Sequence, residues 1–198
     1  SSAIVGGTLS TSGGGVIQTT SGFSALDGRQ VSAPVIITAG SNVNVSNATG
    51  LDLYGSIANS GTITVNAGGS LTDLRMADGT TLTGGGSIVL SGSGNGRIYG
   101  VANSGMEVVT NVDNTISGTG HFGAGNSVLF KNQAGGLVVA DQATALTITP
   151  TTINSNGQIT TNGGGFVNQG TLRATGAGGL VLAPVAMVVH NERRQQRP

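Results

Sequence analysis

The feature that most limits this chain is a recurrence of short β-branched apolar runs, each three to five residues long and each bounded by Gly, Asn, Ser or Asp. Val35–Thr38, Val43–Val45, Ile63–Val65, Ile88–Leu90, Val128–Phe130, Leu137–Val139, Leu146–Ile148 and Leu180–Leu182 all read this way. Runs of that length, rich in Val, Ile and Thr and closed by turn residues, are strands. No apolar stripe recurs at helical spacing over three turns, and Glu, Lys and Gln are scarce, so long amphipathic helices are excluded. The chain reads as all-β.

The turns between the runs share a grammar. Asn59-Ser60-Gly61-Thr62-Ile63 and Asn168-Gln169-Gly170-Thr171-Leu172 show it best, with looser versions at Asn132 to Leu137 and at Asn156-Gly157-Gln158-Ile159. A second form is a glycine cluster entering a strand, as at Gly84-Gly85-Gly86-Ser87-Ile88 and Gly118-Thr119-Gly120-His121-Phe122. Asn tolerates the left-handed region and bonds nearby backbone through its amide, while Gly takes positive φ without steric cost. Asn59, Gly61, Gly84, Gly86, Gly118, Gly120, Asn132, Asn156, Gly157, Asn168 and Gly170 are therefore the expected structural turn residues.

Successive turns lie about 20–25 residues apart, the range of solenoid repeats that bury an apolar face only by stacking on their neighbours. A hairpin-built sandwich would also supply short strands, but its core is aromatic-rich, and Phe, Trp and Tyr together make up 3% here. The expectation is a β-solenoid of roughly eight rungs of about 20–25 residues. At ~4.8 Å per rung that is a rod near 40 Å long. Residues 1–182 form the expected solenoid, irregular over 1–50 and clearer over 51–182. Residues 183–198 lose the repeat grammar and are expected to form a terminal strand or cap with a disordered basic tail.

The stretch from Leu51 to Leu182 resembles the passenger repeats of bacterial autotransporters and filamentous-haemagglutinin-like adhesins. The resemblance is carried by IANSGTITVNAGGSL (57–71), TLTGGGSIVLSG (81–92), NVDNTISGTGHFGAGNSVLFKNQAGGLVVAD (111–141) and GGFVNQGTLRATGAGGLVL (164–182). It implies a right-handed parallel β-helix exported to or beyond the outer membrane of a Gram-negative bacterium. The sequence holds neither the barrel translocator nor the N-terminal NPNL motif of that pattern.

Charge narrows the function classes. Charged residues are 8% of the chain and net charge is zero. Residues 1–190 carry five basic and seven acidic side chains, a balance of −2, and the last eight residues offset this with three Arg and one Glu. Outside the tail there is no cationic patch for phosphates, so nucleic-acid binding is not expected. With no Cys the chain has neither disulfides nor thiolate metal sites. Its longest apolar run, Leu180 to Val189, is interrupted by Pro184 and falls well short of the ~20 residues of a membrane-spanning helix. No Gly-X-Y period supports a collagen helix.

No motif points to chemistry. Gly118 to Gly123 formally matches G-x-G-x-x-G, but turn and strand residues follow rather than a helix, against dinucleotide binding. Asp113 and His121 are the nearest thing to a polysaccharide-hydrolase pair, yet no second Asp adjoins Asp113 and the spacing suits turn-stabilising Asp better. Asp52, Asp73, Asp78, Glu107 and Asp141 read as isolated carboxylates. His121 and His190 cannot build a zinc site from the usual ligands. Thr-x-Thr pairs at Thr62/Thr64, Thr81/Thr83 and Thr147/Thr149 raise an ice-binding array, which requires such pairs on nearly every coil.

No catalytic, cofactor or metal residue is expected. The expected function is a non-catalytic stalk or passenger segment of a surface-exposed or secreted bacterial adhesin. A carbohydrate-active β-helix is the first alternative and an ice-binding solenoid a remote one. The expected partners are a glycan, matrix or cell-surface receptor, adjoining coils of a longer parent chain and an outer-membrane translocator.

Overall fold

The computed structural model describes residues 2–30, 32–101, 107–123, 128–149, 165–183 and 189–191. Every regular element among them is a strand and every strand pairing is parallel. The chain winds through three faces, A, B and C, in that order. The first coil is β1 (Ser2–Val5), β2 (Gly7–Leu9) and β3 (Ile17–Gln18); the second is β4 (Phe23–Gly28), β5 (Val35–Ile37) and β6 (Asn42–Val45). The third is β7 (Gly50–Asn59), long enough to serve faces A and B, with β8 (Thr62–Ala67). Then follow β9 (Thr72–Met76), β10 (Thr81–Thr83) and β11 (Ser87–Gly92); β12 (Gly96–Gly100), β13 (Glu107–Asn111) and β14 (Thr115–Gly118); β15 (Gly120–Phe122), β16 (Val128–Asn132) and β17 (Leu137–Ala140). β18 (Leu146–Ile148), β19 (Gly165–Asn168) and β20 (Thr171–Ala174) make the seventh coil, and β21 (Leu180–Leu182) with β22 (Val189–Asn191) begins an eighth. Because β7 turns from face A to face B, those two faces form one 15-stranded sheet, and face C is a separate seven-stranded sheet.

The β-solenoid expected from the strand and turn pattern is the fold, with slightly fewer complete coils than the expected eight. Coil length varies more than the turn spacing suggested. Asn42 pairs with Thr62 across a short coil, whereas Thr81 pairs with Thr110 across a longer one. Leu137 pairs with Thr171 across a coil that is longer still and contains residues 150–164. The ladder is intact at each of these coil lengths, because strand pairing sets the rung.

Alternation along each strand sends every second side chain inward, and parallel register places those side chains above one another. Val43, Ile63, Ile88, Ile116 and Val138 form one column on face C, and Leu51, Leu74, Ile98, Phe122 and Ile148 form another on face A. None of these ten is more than 3% exposed. Burying each is worth about 1.5–3 kcal/mol. Three of the four phenylalanines, Phe122, Phe130 and Phe166, fill the interior where coils six and seven meet, with ring centres 4.5–5.5 Å apart.

The corner between faces B and C holds the asparagines of the turn grammar. Asn111, Asn132 and Asn168 stand in register and are buried. The Asn111 amide donates to Oδ1 of Asn132 at 2.9 Å, and the Asn132 amide donates to Oδ1 of Asn168 at 2.8 Å. Each side chain also closes its own turn: Asn132 donates to the Gly136 carbonyl at 3.1 Å and Asn168 to the Gly170 carbonyl at 3.1 Å. Asn59 accepts from the Gly61 N–H at 3.1 Å. In the coil above Asn59 the corner is Gly84-Gly85-Gly86, where a Cβ at Gly84 or Gly86 would lie 2.7 or 2.5 Å from the Asn59 carbonyl oxygen. That side-chain-free corner lets the Asn59 amide cross a whole coil and donate to Oδ1 of Asn114 at 2.8 Å. Gly118 and Gly120 form the C-to-A corner. Gly118 has φ of 115° and a Cβ there would lie 1.9 Å from the Leu90 carbonyl oxygen, so no other residue fits. Asn156 and Gly157 lie outside the described residues.

At the C-terminal end, Val189–Asn191 pairs with β19, so Asn191 of the expected tail is strand. Residues 192–198 lie outside the described residues.

Removing Asn132 should strand the Asn111 donor and the Asn168 acceptor inside the rod, each costing about 1–3 kcal/mol. Asn132→Ala is expected to lower the unfolding free energy by about 2–4 kcal/mol in urea titration. Asn66→Ala, at an exposed position of β8, is expected to change it by less than about 0.5 kcal/mol.

Candidate functional site

Outward-facing positions on face A collect the chemistry that the sequence spreads between Phe23 and Tyr99. Asp52 on β7 pairs in register with Arg75 on β9, and Asp73 on β9 pairs with Arg97 on β12. Since i and i+2 share a face, Asp73 lies beside Arg75, Arg97 beside Tyr99, and Asp52 beside Tyr54. Arg75 grips Asp52 through Nε and Nη2, both at 2.7 Å, and Arg97 grips Asp73 at 2.7 and 2.8 Å. Tyr99 donates its hydroxyl to Asp73 at 2.7 Å. One coil earlier, Asp27 pairs with Arg29 through Arg29 Nε at 2.9 Å. Asp52 and Asp73 were expected to be isolated carboxylates; parallel pairing instead brings them into one cluster, because positions one coil apart in sequence become neighbours across a rung.

The aromatic rings complete the patch. The Arg75 guanidinium lies 3.6 Å from the centre of the Phe23 ring, Arg29 lies 4.6 Å from Tyr54, and Arg97 lies 5.0 Å from Tyr99. The Phe23 ring occupies the space over Gly50, where a Cβ would fall 2.1 Å from the ring. Face A thus holds both tyrosines, three of the five basic side chains of residues 1–190 and three of the seven acidic ones.

The electrostatics follow from this closure. The hydrogen bond from Arg29 holds the Asp27 carboxyl below its usual range. Burial, then the hydrogen bond and negative charge of Asp73, push the Tyr99 phenol up to about 12. Burial and the Asp52 charge push Tyr54 up as well. Each carboxylate of the ladder already accepts two or more charge-assisted bonds, and each guanidinium is engaged by a carboxylate and a ring. The arrangement joins coils two to five by side chains.

The remaining candidates fall apart in space. Asp113 sits at the B–C corner and accepts from the Gly85 N–H at 3.0 Å, while His121 is exposed on β15 of face A beside Arg97. Asp78 accepts from the Val108 N–H at 2.9 Å, and Asp141 from the Gln142 amide at 2.8 Å. Glu107 is buried on β13. Gly118 to Gly123 is a corner leading into the strand β15, not into a helix. The three Thr-x-Thr pairs occupy three different faces: Thr62 and Thr64 on β8 of face C, Thr81 and Thr83 on β10 of face B, Thr147 on β18 of face A. They build no common array. Among the described residues no three His, Asp or Glu side chains form a metal-binding group, and no helix is long and apolar enough to cross a membrane.

No family model, no curated protein and no solved structure matches the chain.

The tyrosines give a direct measurement of the cluster. Between pH 10 and about 12 the unfolded chain releases the Tyr99 proton while the folded chain keeps it. Stability contributed by the neutral phenol is complete below pH 10 and is lost as pH rises through about 12. In an absorbance titration of phenolate, both tyrosines should ionise above pH 10 with the later step near 12, and Tyr99→Phe should remove that later step. Ionisation of both at their ordinary value would contradict the geometry.

Proposed function

We propose that the chain is a non-catalytic stalk or passenger segment of a surface-exposed or secreted bacterial adhesin, of the autotransporter and filamentous-haemagglutinin type. The observation that carries this reading is the closure of the face A cluster. Its charges are used between successive coils, Asp52 to Arg75 and Asp73 to Arg97, as stiffening contacts along the rod axis. Continuous apolar columns and the asparagine ladder serve the same end in a chain that has no cysteine. A rod of this kind extends a binding element away from a cell or presents a long face to a glycan, matrix or cell-surface receptor. In this reading the chain reaches the bacterial surface through an outer-membrane translocator, and adjoining coils of a parent chain continue the rod.

The gathering of Asp52, Asp73, Tyr54 and Tyr99 on one outer face favours a second reading, a carbohydrate-active β-helix, since glycoside hydrolysis uses paired carboxylates. Against it, Asp52 and Asp73 are each held by a bidentate guanidinium. Their oxygens are already bonded to side chains of the same face, as inter-coil contacts.

Incubating the purified chain with pectin, alginate and host glycans separates the readings. The expected result is no turnover, with saturable binding to at least one polymer. Turnover of any of them, abolished by Asp52→Asn or Asp73→Asn, would replace the stalk reading by the enzymatic one.

A further inference from the structure

We infer that Asn47 is an acceptor site for N-linked glycosylation, taking a sugar from a diphosphate-activated donor before coil three closes over coil two. The motif Asn-x-Ser or Asn-x-Thr, with x other than Pro, marks such acceptors on surface loops of exported chains. It occurs twice in the sequence, as Asn44-Val45-Ser46 and Asn47-Ala48-Thr49, and the fold treats the two differently. Asn44 lies on β6 in face C, half-buried, with its nitrogen donating to Ser46 Oγ at 3.3 Å. Asn47 is exposed, in the corner between β6 and β7. There the Thr49 N–H donates to the Ser46 carbonyl at 3.0 Å and closes a tight turn with Asn47 and Ala48 at its tip.

The orientation of the Asn47 amide carries the inference. Its oxygen accepts from the Ser70 N–H of the next coil at 3.1 Å, and its nitrogen bonds no protein group among the described residues. Elsewhere the nitrogen is spent: Asn59, Asn95, Asn111, Asn132 and Asn168 all donate theirs to the protein. A sugar on Asn47 Nδ2 preserves the contact with Ser70, because the glycosylated amide keeps its carbonyl as an acceptor. The turn is held at a second point, where the Ala48 N–H donates to Thr72 Oγ1 at 3.1 Å. The corner of the next coil is Gly68-Gly69-Ser70. A Cβ at Gly68 would come 3.6 Å from Asn47 Cγ, and Gly69 opens on empty space, so the two glycines leave the amide uncrowded.

In the transfer, Asn47 Nδ2 attacks the anomeric carbon of a sugar whose anomeric oxygen carries a nucleotide- or lipid-linked diphosphate. The carbon–oxygen bond breaks with its electron pair leaving on the diphosphate, the nitrogen–carbon bond forms, and the nitrogen gives one proton to a base of the transferring enzyme. Nothing is oxidised or reduced. The Thr49 hydroxyl is the other half of the motif. In the folded rod Thr49 is only 8% exposed, donates to the Ser46 carbonyl at 2.7 Å and is bonded to the Thr19 hydroxyl. An enzyme that reads this hydroxyl reaches it only while the corner is open. Transfer therefore precedes closure, and the finished fold leaves the modified nitrogen facing solvent.

The experiment is intact-mass and peptide mass spectrometry of the 198-residue chain produced together with a motif-reading enzyme. One arm uses a soluble N-glycosyltransferase with UDP-glucose; the other directs the chain to the periplasm with a membrane oligosaccharyltransferase and a polyprenyl-diphosphate oligosaccharide. The arm that yields product identifies the donor as nucleotide- or lipid-linked. Both arms supply the chain directly to the enzyme, so the outcome is independent of the stalk reading. The expected result is one glycan on Asn47, an unchanged β-sheet circular dichroism spectrum, and loss of product when the folded chain is offered instead. Asn47→Gln and Thr49→Ala should abolish the modification, Thr49→Ser should retain it, and Ser46→Ala, which removes only the Asn44 motif, should leave it in place. A chain unmodified in both arms, where a control peptide containing Asn-Ala-Thr is modified, overturns the proposal. So does a sugar on Asn44 alone, or a glycosylated chain that no longer folds. Equal modification of the folded chain overturns the order of events.

Discussion

Everything in this molecule depends on parallel, in-register hydrogen bonding between successive coils. Parallel strands place the same position of each rung above its counterpart, so whatever residue type occupies a corner or a column is repeated along the axis. Apolar positions become continuous columns from Val43 to Val138 and from Leu51 to Ile148. The same rule stacks asparagine on asparagine and sets aspartate beside arginine. The core is thin in any one coil and becomes adequate only by continuation.

Burying polar groups inside such a rod is unfavourable unless each finds a partner. The B–C corner meets this by making the partner the equivalent residue of the next coil. Asn111, Asn132 and Asn168 each satisfy donor and acceptor between a local turn and a neighbouring rung. Where the coil above Asn59 supplies glycines in place of an asparagine, the bond passes through the gap to Asn114. Glycine and asparagine are thus two answers to one corner problem: glycine brings backbones close, and asparagine fills the remaining space with hydrogen bonds.

The outer surface follows a different rule. A chain with 8% charged residues places three of its carboxylates and three of its guanidiniums on one face, paired with one another and capped by rings. Solvent-facing ion pairs contribute little singly, but Asp52 and Asp73 are largely covered and bonded bidentately, which makes them directional ties between coils. The rod is tied along this face by side chains as well as by its backbone ladders.

The primary sequence determined the elements. Short β-branched runs, glycine and asparagine corners, and the lack of any helical period specify strands, turns and a solenoid, because those preferences are local properties of φ, ψ and side-chain branching. The inward residues Ile63, Ile88 and Val138 and the corner residues Asn59, Asn132 and Asn168 could be read directly from that pattern. What only the tertiary structure decided is which face each residue joins and what stands above it. The coil that carries Asn42 to Thr62 is much shorter than the one that carries Leu137 to Thr171, so a spacing in sequence does not translate into a position on the rod. Asp52 and Arg75 meet, while the three Thr-x-Thr pairs, alike in sequence, scatter over three faces. Register across a coil is set by backbone pairing and by how much chain each corner absorbs, and neither leaves a local mark in the sequence.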